Sequence, residues 1–360
     1  MGGGLTYLQS VIRELANSEF RWHLSVPRDT LAQIELPSGW SASVAPPLSF
    51  FGKHAWEQLV LPILARKWGA SVTLCNANYV PLACPRPLPI LHAPTTAGMI
   101  HATTLRQNFY WRALHFMTEL SLWRSKCGIA IADIAEDYRY GSKLVKKGRL
   151  FYAPPGRPAT RTAPIEKDPE LVVAVGNIFP SKRYDVLVRS IGLLARRRPN
   201  IRLEIIGHAF DTAAHGQLHQ LVAELKLEDQ VTIRGFLPHE QVLHRIAQAS
   251  ILVSASVTEV ANLVVLEAMS VGTPVILADT HAQRNLAGSA ALFVKSDSDD
   301  PSSCYAIAIE EALVNCEKRR TMAEAGRQRA EEFNWTRTAS AILNGVRSVI
   351  GGPNRNSARS

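Results

Sequence analysis

The strongest constraint on the fold is a regular alternation of short apolar runs and amphipathic stretches between residues 171 and 278. The run at 171–176 reads LVVAVG, an unbroken apolar segment typical of a strand buried on both faces of a parallel sheet. Amphipathic spacing then predicts a helix from about 181 to 197. The succession continues with strands predicted at 203–206, 231–234, 251–254 and 275–278 and with helices predicted at 214–226, 239–249 and 262–271. This alternation predicts βαβ units and a doubly wound parallel sheet, an α/β fold.

The first half of the chain repeats the alternation less regularly. We predict helices at 5–15, 54–67 and 105–124 and strands at 20–26, 72–75, 90–92 and 129–132. The segment 153–169 contains five prolines and is typical of an extended linker. We therefore expect an N-terminal Rossmann-like domain at 1–160, a C-terminal Rossmann-like domain at 161–335, and a final segment at 336–360. In that last segment we expect a helix that returns toward the first domain, followed by a disordered tail.

Three glycines, Gly2, Gly3 and Gly4, lead directly into the first predicted helix, and no strand precedes them. A glycine turn that enters a helix can bind phosphate through backbone N–H groups. The same glycines could equally form a disordered start. The first strand expected of such a domain is therefore missing: either the true start lies upstream, or a core strand has been lost and activity is in doubt.

The composition is that of a globular protein with two domains. The chain has 360 residues, of which 46% are hydrophobic and 20% are charged, and this argues against extensive disorder. Its five cysteines lack CxxC spacing, which argues against a zinc site or a disulfide framework. No apolar run reaches the roughly 18–20 residues that span a bilayer. We expect a soluble cytoplasmic protein.

Positive charge is concentrated in the first half of the chain. Residues 1–166 contain 18 Lys and Arg against 10 Asp and Glu, whereas residues 167–360 contain 22 against 21. The basic half could attract nucleic acid, an anionic membrane or phosphorylated substrates, or it could be a basic surface with no particular partner.

Two glutamates in the second half are candidates for a binding site. Glu259 follows a predicted buried strand, and Glu267 lies in an apolar helix eight residues later. The spacing alone is uninformative, because Glu324 and Glu332 share it in a charged helix near the C-terminus. A carboxylate in an apolar helix is costly unless it has a partner. For Glu267 that partner could be a pair of ligand hydroxyls or a nearby arginine.

His92 is the candidate of the first half. It ends the predicted strand LPILH, where open α/β sheets place ligand contacts, although a single histidine is more often structural.

Six stretches of the second half carry a family resemblance: VGNIFPSKRYDVLVRSI (175–191), LEIIGHAFD (203–211), VTIRGFLPHEQVLHRIAQASILVSASVTE (231–259), NLVVLEAMSVGTPVILAD (262–279), NLAGSAALFV (285–294) and FNWTRTA (333–339). On these stretches the second half resembles the family 4 glycosyltransferases, also called glycosyl transferases group 1. The first half resembles the family more weakly, through GGGLTYLQSVIREL at 2–15. The resemblance implies retaining enzymes of the GT-B fold, in which two Rossmann-like domains flank a cleft that binds a nucleotide-sugar.

The resemblance implies a role for each matching residue of the second half. Glu267 would accept hydrogen bonds from the ribose hydroxyls, and Glu259 would contact the donor sugar beside its anomeric centre. Backbone N–H groups of Asn262 and Leu263 would hold the diphosphate. Lys182 would neutralise the departing diphosphate, which gains negative charge in the transition state.

Further contacts follow from the resemblance in the same way. Phe236 and Leu237 would lie near the base, Gly3 and Gly4 would reach the phosphates across the cleft, and His92 would bind the donor sugar. The sequence also departs from the family. Asn177 stands where many relatives carry arginine, so that Arg183 would have to replace the missing charge. The stretch Glu259-Val260-Ala261-Asn262 replaces an EGFG pattern, which could alter the choice of donor sugar.

The resulting expectation is a retaining hexosyltransferase. It would move a sugar from a UDP- or GDP-linked donor to a glycan or lipid-linked acceptor in cell-envelope polysaccharide biosynthesis. The nucleotide-sugar is a co-substrate, and we expect no other cofactor and no metal, because Lys182 and helix ends would cover the diphosphate. The alternative is a catalytically inactive GT-B subunit that serves as a binding partner. A dinucleotide-dependent oxidoreductase is disfavoured because neither half contains GxGxxG with a following acidic residue.

The basic first half agrees with an acceptor at an anionic membrane, and we expect no nucleic-acid partner. Peripheral docking on the inner membrane face would use tryptophans at the interface and basic residues beside them. The tryptophans could instead belong to the core. The residues concerned are Trp111, Trp123, Arg106, Arg112, Arg124, Lys143, Lys146, Lys147 and Arg149.

Overall fold

A computed structural model gives the fold of the chain and describes residues 3–48, 50–100, 104–125, 127–158, 165–295 and 297–351. The chain divides into two compact units. The N-terminal unit contains the described residues up to Gly156 and those from Asn334 onward, and the C-terminal unit runs from Arg157 to Phe333. The predicted Gly2, the middle of the proline-rich segment and the tail after residue 351 lie outside the described residues.

The N-terminal unit is an α/β domain. Its strands are β1 (His23–Pro27), β2 (Ser41–Ala45), β3 (Thr73–Cys75), β4 (Pro87–Leu91), β5 (Gly128–Ala130) and β6 (Leu150–Tyr152). The first seven helices of the chain, all in this unit, are α1 (Gly3–Leu15), α2 (Arg28–Leu31), α3 (Phe50–Leu59), α4 (Leu61–Lys67), α5 (Thr95–Ile100), α6 (Leu105–Ser125) and α7 (Arg139–Lys146).

The strands of this unit form two parallel sheets rather than the single doubly wound sheet that the sequence predicts. One sheet has the order β1-β2 and the other the order β3-β4-β5-β6. In a doubly wound sheet the first strand lies at the centre and pairs with strands of both halves. Within the described residues no strand precedes α1, so nothing bridges the two sheets.

Two further details differ from the predictions. The helix predicted at 54–67 is interrupted at Val60, because Pro62 cannot donate a backbone hydrogen bond and its ring would clash within a continuous helix. Gly3 and Gly4 form the first turn of α1 rather than a loop before it.

The C-terminal unit is the doubly wound domain that the sequence predicts. Its strands are β7 (Asp168–Val175), β8 (Arg202–Ile206), β9 (Val231–Gly235), β10 (Ala249–Ser254), β11 (Val275–Ala278) and β12 (Ala291–Val294). Its helices are α8 (Tyr184–Ala195), α9 (Thr212–Glu224), α10 (His239–Gln248), α11 (Leu263–Ser270), α12 (His281–Ala287), α13 (Pro301–Val314) and α14 (Cys316–Glu331).

All six strands of this unit are parallel and lie in the order β12-β11-β10-β7-β8-β9. The order reverses between β7 and β10, and this is the switch point at which such sheets bind ligands. Buried residues of α8, α9 and α13 form the core on one face, and those of α10, α11, α12 and α14 form the core on the other. The continuous apolar runs in the sequence reflect this burial on both faces.

The last helix, α15 (Trp335–Ile350), belongs to the N-terminal unit. Its Thr336 hydroxyl donates to Glu14 at 2.9 Å, and Arg347 Nε donates to Glu19 at 2.8 Å, so that it packs along α1. No helix in the described part of the chain has the length and apolar character needed to cross a membrane.

A close backbone contact fixes the carboxyl edge of the larger sheet. Gly176 N–H donates to Ile206 O at 2.9 Å, and Gly207 N–H donates to Gly235 O at 2.9 Å, so that pairing continues to the last residue of each strand and beyond. A Cβ at Gly207 would lie 1.9 Å from Gly176 O. Only glycine fits at position 207.

His92 occupies the carboxyl end of β4 in the N-terminal unit. Asn78 Oδ1 accepts from His92 N–H at 2.7 Å, and the His92 ring donates through Nε2 to Asn76. Tyr7 of α1 packs edge-on against the ring, with centroids 5.4 Å apart. Burial lowers the pKa of His92 to about 4, so the imidazole is neutral at physiological pH.

The Gly207 contact predicts a large effect of a single methyl group. Gly207→Ala should lower the free energy of unfolding by about 2 kcal/mol or more, because the new Cβ overlaps the Gly176 carbonyl. Gly216→Ala is the matched control, since Gly216 lies in α9 and a methyl carbon added there would have nothing within 4 Å. It should raise stability by about 0.5–1 kcal/mol through helix propensity. Chemical denaturation measures the free energy of unfolding of both variants. Equal effects would contradict the close backbone contact at Gly207.

The lowered pKa of His92 predicts acid sensitivity. Since the unfolded imidazole titrates near pH 6.5 and the folded one at about 4, the unfolded state takes up a proton first as pH falls. Stability is therefore fully present above pH 6.5, and about 2 kcal/mol should be lost by pH 5. Denaturation at pH 7.5 and pH 5 should show a smaller loss of unfolding free energy for His92→Gln than for the wild type. His219→Gln, on the exposed surface of α9, is the control and should leave the loss unchanged.

Candidate active site

Two charged side chains meet at the switch point of the larger sheet. Lys182 lies in the turn after β7 and Glu259 in the loop after β10, the two strands between which the order reverses. The Lys182 ammonium donates to Glu259 Oε1 in a close ion pair. The side chains are 24% and 16% exposed, so both remain within reach of a ligand. The structure thus brings together two residues that the sequence analysis singled out separately.

Tyr184 and Gly176 support this pair. Tyr184 Oη donates to Gly176 O at 2.7 Å, and a Cβ at Gly176 would lie 3.4 Å from Lys182 Nζ. Burial, with a smaller effect from the nearby Glu259 charge, raises the pKa of Tyr184, so the hydroxyl stays protonated and remains a donor. Lys182 therefore packs across the glycine that ends the strand, and its position is fixed by the backbone.

Arg183 ends the same turn in an unusual backbone conformation. Its φ of +52° lies in the left-handed region, which disfavours residues other than glycine. Such local strain is often found at functional sites. The turn that carries Lys182 is thus held in one sharply bent conformation before α8 begins.

Glu267 is buried and has a partner that sequence reasoning missed. Its side chain is 8% exposed on α11, and His239 Nε2 at the start of α10 lies 2.8 Å from Glu267 Oε1. The alternative partner proposed from the sequence, an arginine, is therefore wrong. The hydrogen bond to Glu267 raises the pKa of His239 against the opposing effect of burial. The only local signal of this pair was the position of His239 directly after the loop at 235–238.

The start of α11 differs from the expected diphosphate site in one respect. Leu263 N–H donates to Ala261 O at 3.0 Å, so this amide is engaged within a tight turn instead of being available to a ligand. The Asn262 amide N–H has no partner among the described residues. Ser256, three residues before Glu259, is buried, and its hydroxyl likewise lacks a partner within the described part of the chain. Orphaned polar groups of this kind are satisfied when a ligand or water binds.

The loop after β9 carries the two residues expected near the base. Phe236 is exposed, and Leu237 borders a cavity of about 370 Å³. The other residues that line this cavity are Arg234, Glu240, Gln241, His244 and Arg245. An exposed aromatic ring beside a cavity lined largely by the stems of charged and polar side chains suits a heterocyclic base, although the role of both residues remains a prediction.

His92, Gly3 and Gly4 lie in the N-terminal unit. There the structure links the first turns of α1 to His92 through the Tyr7 contact. Because His92 Nε2 donates to Asn76, its Nδ1 carries the lone pair and can accept a hydroxyl hydrogen. Gly4 has open space at its Cβ position, so the helix start is accessible.

A cluster of acidic residues precedes α13. Asp297, Asp299 and Asp300 lie before α13, where Asp300 Oδ1 accepts from Ser303 N–H at 3.1 Å and caps the helix. Among the residues that the structure describes, no group of three or more His, Cys, Asp and Glu is placed to hold a metal ion.

Comparison with known proteins finds similarity to one family over the C-terminal unit. The model of the glycosyl transferases group 1 family matches residues 158–329, most of the C-terminal unit. The chain is 28% identical over 226 residues to D-inositol 3-phosphate glycosyltransferase of Paenarthrobacter aurescens, covering 59% of this chain and 54% of that protein. It is 27% identical over 227 residues to mannosylfructose-phosphate synthase of Agrobacterium fabrum, covering 53% and 48%. The chain thus spans about half the length of these relatives.

Solved structures match over nearly the whole chain. Sucrose-phosphate synthase of Thermosynechococcus elongatus superposes with a TM-score of 0.76 at 19% identity and covers 97% of this chain and 94% of its own. The Anabaena protein HepE in complex with UDP and glucose gives a TM-score of 0.75 at 16% identity, with 96% of each chain covered. At such identities the likeness establishes the fold, which is GT-B with two Rossmann-like domains. Through residues 158–329, the C-terminal unit is thus similar to the glycosyl transferases group 1 family.

Proposed function

We propose that the chain is a retaining hexosyltransferase that moves a sugar from a UDP- or GDP-linked donor to a glycan or lipid-linked acceptor in cell-envelope polysaccharide biosynthesis. The observation that carries the proposal is the Lys182–Glu259 pair at the switch point of the sheet. It supplies a cation for a diphosphate and a carboxylate for sugar hydroxyls at one place. The HepE structure with UDP and glucose lends support, because that protein has the same fold.

The arrangement suits the charge changes of glycosyl transfer. When the bond between the anomeric carbon and the diphosphate oxygen breaks, negative charge grows on the leaving group. Lys182, fixed against Gly176, is a preorganised cation for that charge and costs little reorganisation. In a retaining, front-face reaction the acceptor oxygen forms the new bond on the same face. The leaving phosphate takes the acceptor proton, so no protein base is required.

Glu259 and Glu267 have different tasks in this proposal. Glu259 accepts hydrogen bonds from donor-sugar hydroxyls while it orients Lys182. Glu267 accepts from the ribose, for which a charged acceptor of two donors is well suited. The alternative of an inactive subunit has less support. The three charged residues Lys182, Glu259 and Glu267 are all present, and the relatives named above are a glycosyltransferase and a synthase.

The donor site is tested first by binding. Thermal shift against UDP, GDP, ADP and their sugars should identify one nucleotide, since a bound ligand raises the melting temperature. Glu267→Ala should then weaken the binding of that nucleotide by about 1.5–3 kcal/mol, the range for charge-assisted hydrogen bonds. Release of nucleoside diphosphate from the matching sugar measures turnover, and the anomeric configuration of the product tests retention.

Glu324→Ala is the matched control for the donor site. Glu324 and Glu332 have the spacing of Glu259 and Glu267 but lie near the end of the C-terminal unit, and Glu324 is exposed. The control should bind the nucleotide as the wild type does. An unchanged affinity of Glu267→Ala would remove Glu267 from the site, and no response to any nucleotide would defeat the proposed function.

We further propose that α6 docks the N-terminal unit on an anionic membrane surface. Leu105, Phe109, Phe116 and Trp123 are 92%, 76%, 66% and 53% exposed. Their spacing of 4, 7 and 7 residues places all four on one side of the helix. Apolar side chains of this size are rarely aligned in water without a partner.

Charge on the same helix favours an anionic lipid surface as that partner. Arg112 lies in the same row, and Arg106 and Arg124 lie to one side of it. Glu119, the one acidic residue of α6, is turned toward α7, where it accepts from Tyr140 N–H at 2.9 Å. The exposed face is thus apolar and basic, the combination that binds membrane interfaces. Trp123 is exposed as proposed from the sequence, whereas Trp111 is partly buried.

Membrane docking is tested with vesicles. Co-sedimentation with phosphatidylglycerol vesicles should fall about tenfold or more when Phe109, Phe116 and Trp123 are all changed to serine. Arg112→Gln should reduce binding about fivefold, and only on anionic vesicles at low salt. Ile307→Ser with Val314→Ser is the control, because both residues are 66% exposed on α13 of the other unit. Vesicle binding that does not depend on anionic lipid, or that is unchanged in the triple serine variant, would eliminate the proposal.

A further inference from the structure

The carboxylate of Glu267 is held before any ligand binds. His239 is the first residue of α10, and its imidazole reaches Glu267 Oε1 at 2.8 Å on the neighbouring helix α11. The His239 side chain is 42% exposed, whereas that of Glu267 is 8% exposed. The imidazole therefore connects the surface to a buried carboxylate.

Hydrogen-bond geometry shows what this contact leaves available. A carboxylate has about four lone-pair sites. His239 occupies one of them on Oε1, and Oε2 has no hydrogen-bond partner among the residues that the structure describes. Two adjacent hydroxyls need two acceptor sites, and three remain. The contact thus orients the carboxylate and leaves enough acceptor sites for two hydroxyls.

His239 can hold the carboxylate in either of its protonation states. Neutral imidazole with a proton on Nε2 donates to Glu267, and so does imidazolium. Without this donor, Glu267 would be a buried carboxylate with no partner, and it would turn toward solvent or take up a proton. A second group that orients a binding carboxylate reduces the reorganisation that is needed when the ligand arrives.

We propose that His239 is a positioning residue for ribose recognition, which holds Glu267 so that its free lone pairs face the 2′ and 3′ hydroxyls of the nucleotide. The inference rests on the proposed function, because it takes Glu267 as the ribose acceptor. It adds a residue on a different helix, 28 positions earlier in the chain, whose contribution is to discriminate ribose from deoxyribose.

The test compares ribonucleotides with 2′-deoxyribonucleotides. Calorimetry with UDP and dUDP, GDP and dGDP, and ADP and dADP gives a ratio of affinities for the base that binds. Wild type should favour the ribonucleotide, and Glu267→Ala should abolish the preference. His239→Ala should reduce the ratio about threefold or more, and His239→Gln, which retains an N–H donor, should restore it to within about twofold. A purely structural role for His239 would not change this ratio.

Controls separate the possible outcomes. His219→Ala, an exposed histidine on α9, should leave the ratio unchanged. The double variant His239→Ala/Glu267→Ala should lose no more than Glu267→Ala alone, since both act through one carboxylate. If His239→Ala does not fold, His239→Phe keeps the ring volume and removes the donor.

Failure of this inference differs from failure of the proposed function. A ratio that falls in Glu267→Ala but not in the His239 variants overturns the role of His239 and leaves the donor site intact. If no nucleotide in the panel binds the wild type, both the donor site and the role of His239 are overturned.

Discussion

The contact between the backbones of Gly176 and Gly207 determines where the charged groups of the C-terminal unit lie. A Cβ at Gly207 would lie 1.9 Å from Gly176 O, so the two backbone segments are in contact at the level where β7 and β8 end. Tyr184 Oη then donates to the same Gly176 carbonyl from the start of α8. The turn that contains Lys182 is therefore anchored at both ends, and its ammonium lies over the glycine and pairs with Glu259 after β10.

In the proposed function, this anchoring lets one cation serve both a carboxylate and a diphosphate. A partly buried ion pair contributes little net stability, because desolvation offsets the attraction between the charges. Its value lies in orientation, since Lys182 and Glu259 each restrict the other to one arrangement at the switch point. Under the proposed function, an entering diphosphate would meet a cation that is already held in place and already partly desolvated. Lys182 pairs with Glu259 in the loop after β10. The proposed function adds donor-sugar hydroxyls as further partners of the same carboxylate.

Sequence reasoning predicted the C-terminal unit well, because strands buried on both faces leave continuous apolar runs such as the one at 171–176. Lys182, Glu259 and Glu267 were predicted as site residues from their segments and from family resemblance, and the structure pairs the first two. The partner of Glu267 was not found, because periodicity within an element carries no information about which elements face each other. The absence of a strand before α1 was noted in the sequence, but its consequence, the split of the N-terminal unit into two sheets, was not predicted, because local pattern identifies strands and does not specify their pairing.

The two histidines illustrate how one residue type acquires opposite properties. His92 is surrounded by Tyr7 and neutral amides, and burial without a carboxylate lowers its pKa to about 4. His239 is also partly buried, yet the hydrogen bond to Glu267 outweighs desolvation and raises its pKa. The first is thus a neutral ring with a lone pair to offer a hydroxyl, and the second is biased toward a cation that fixes an acidic acceptor. Neither property is visible in the sequence, because each depends on what the fold places within about 3 Å of the ring.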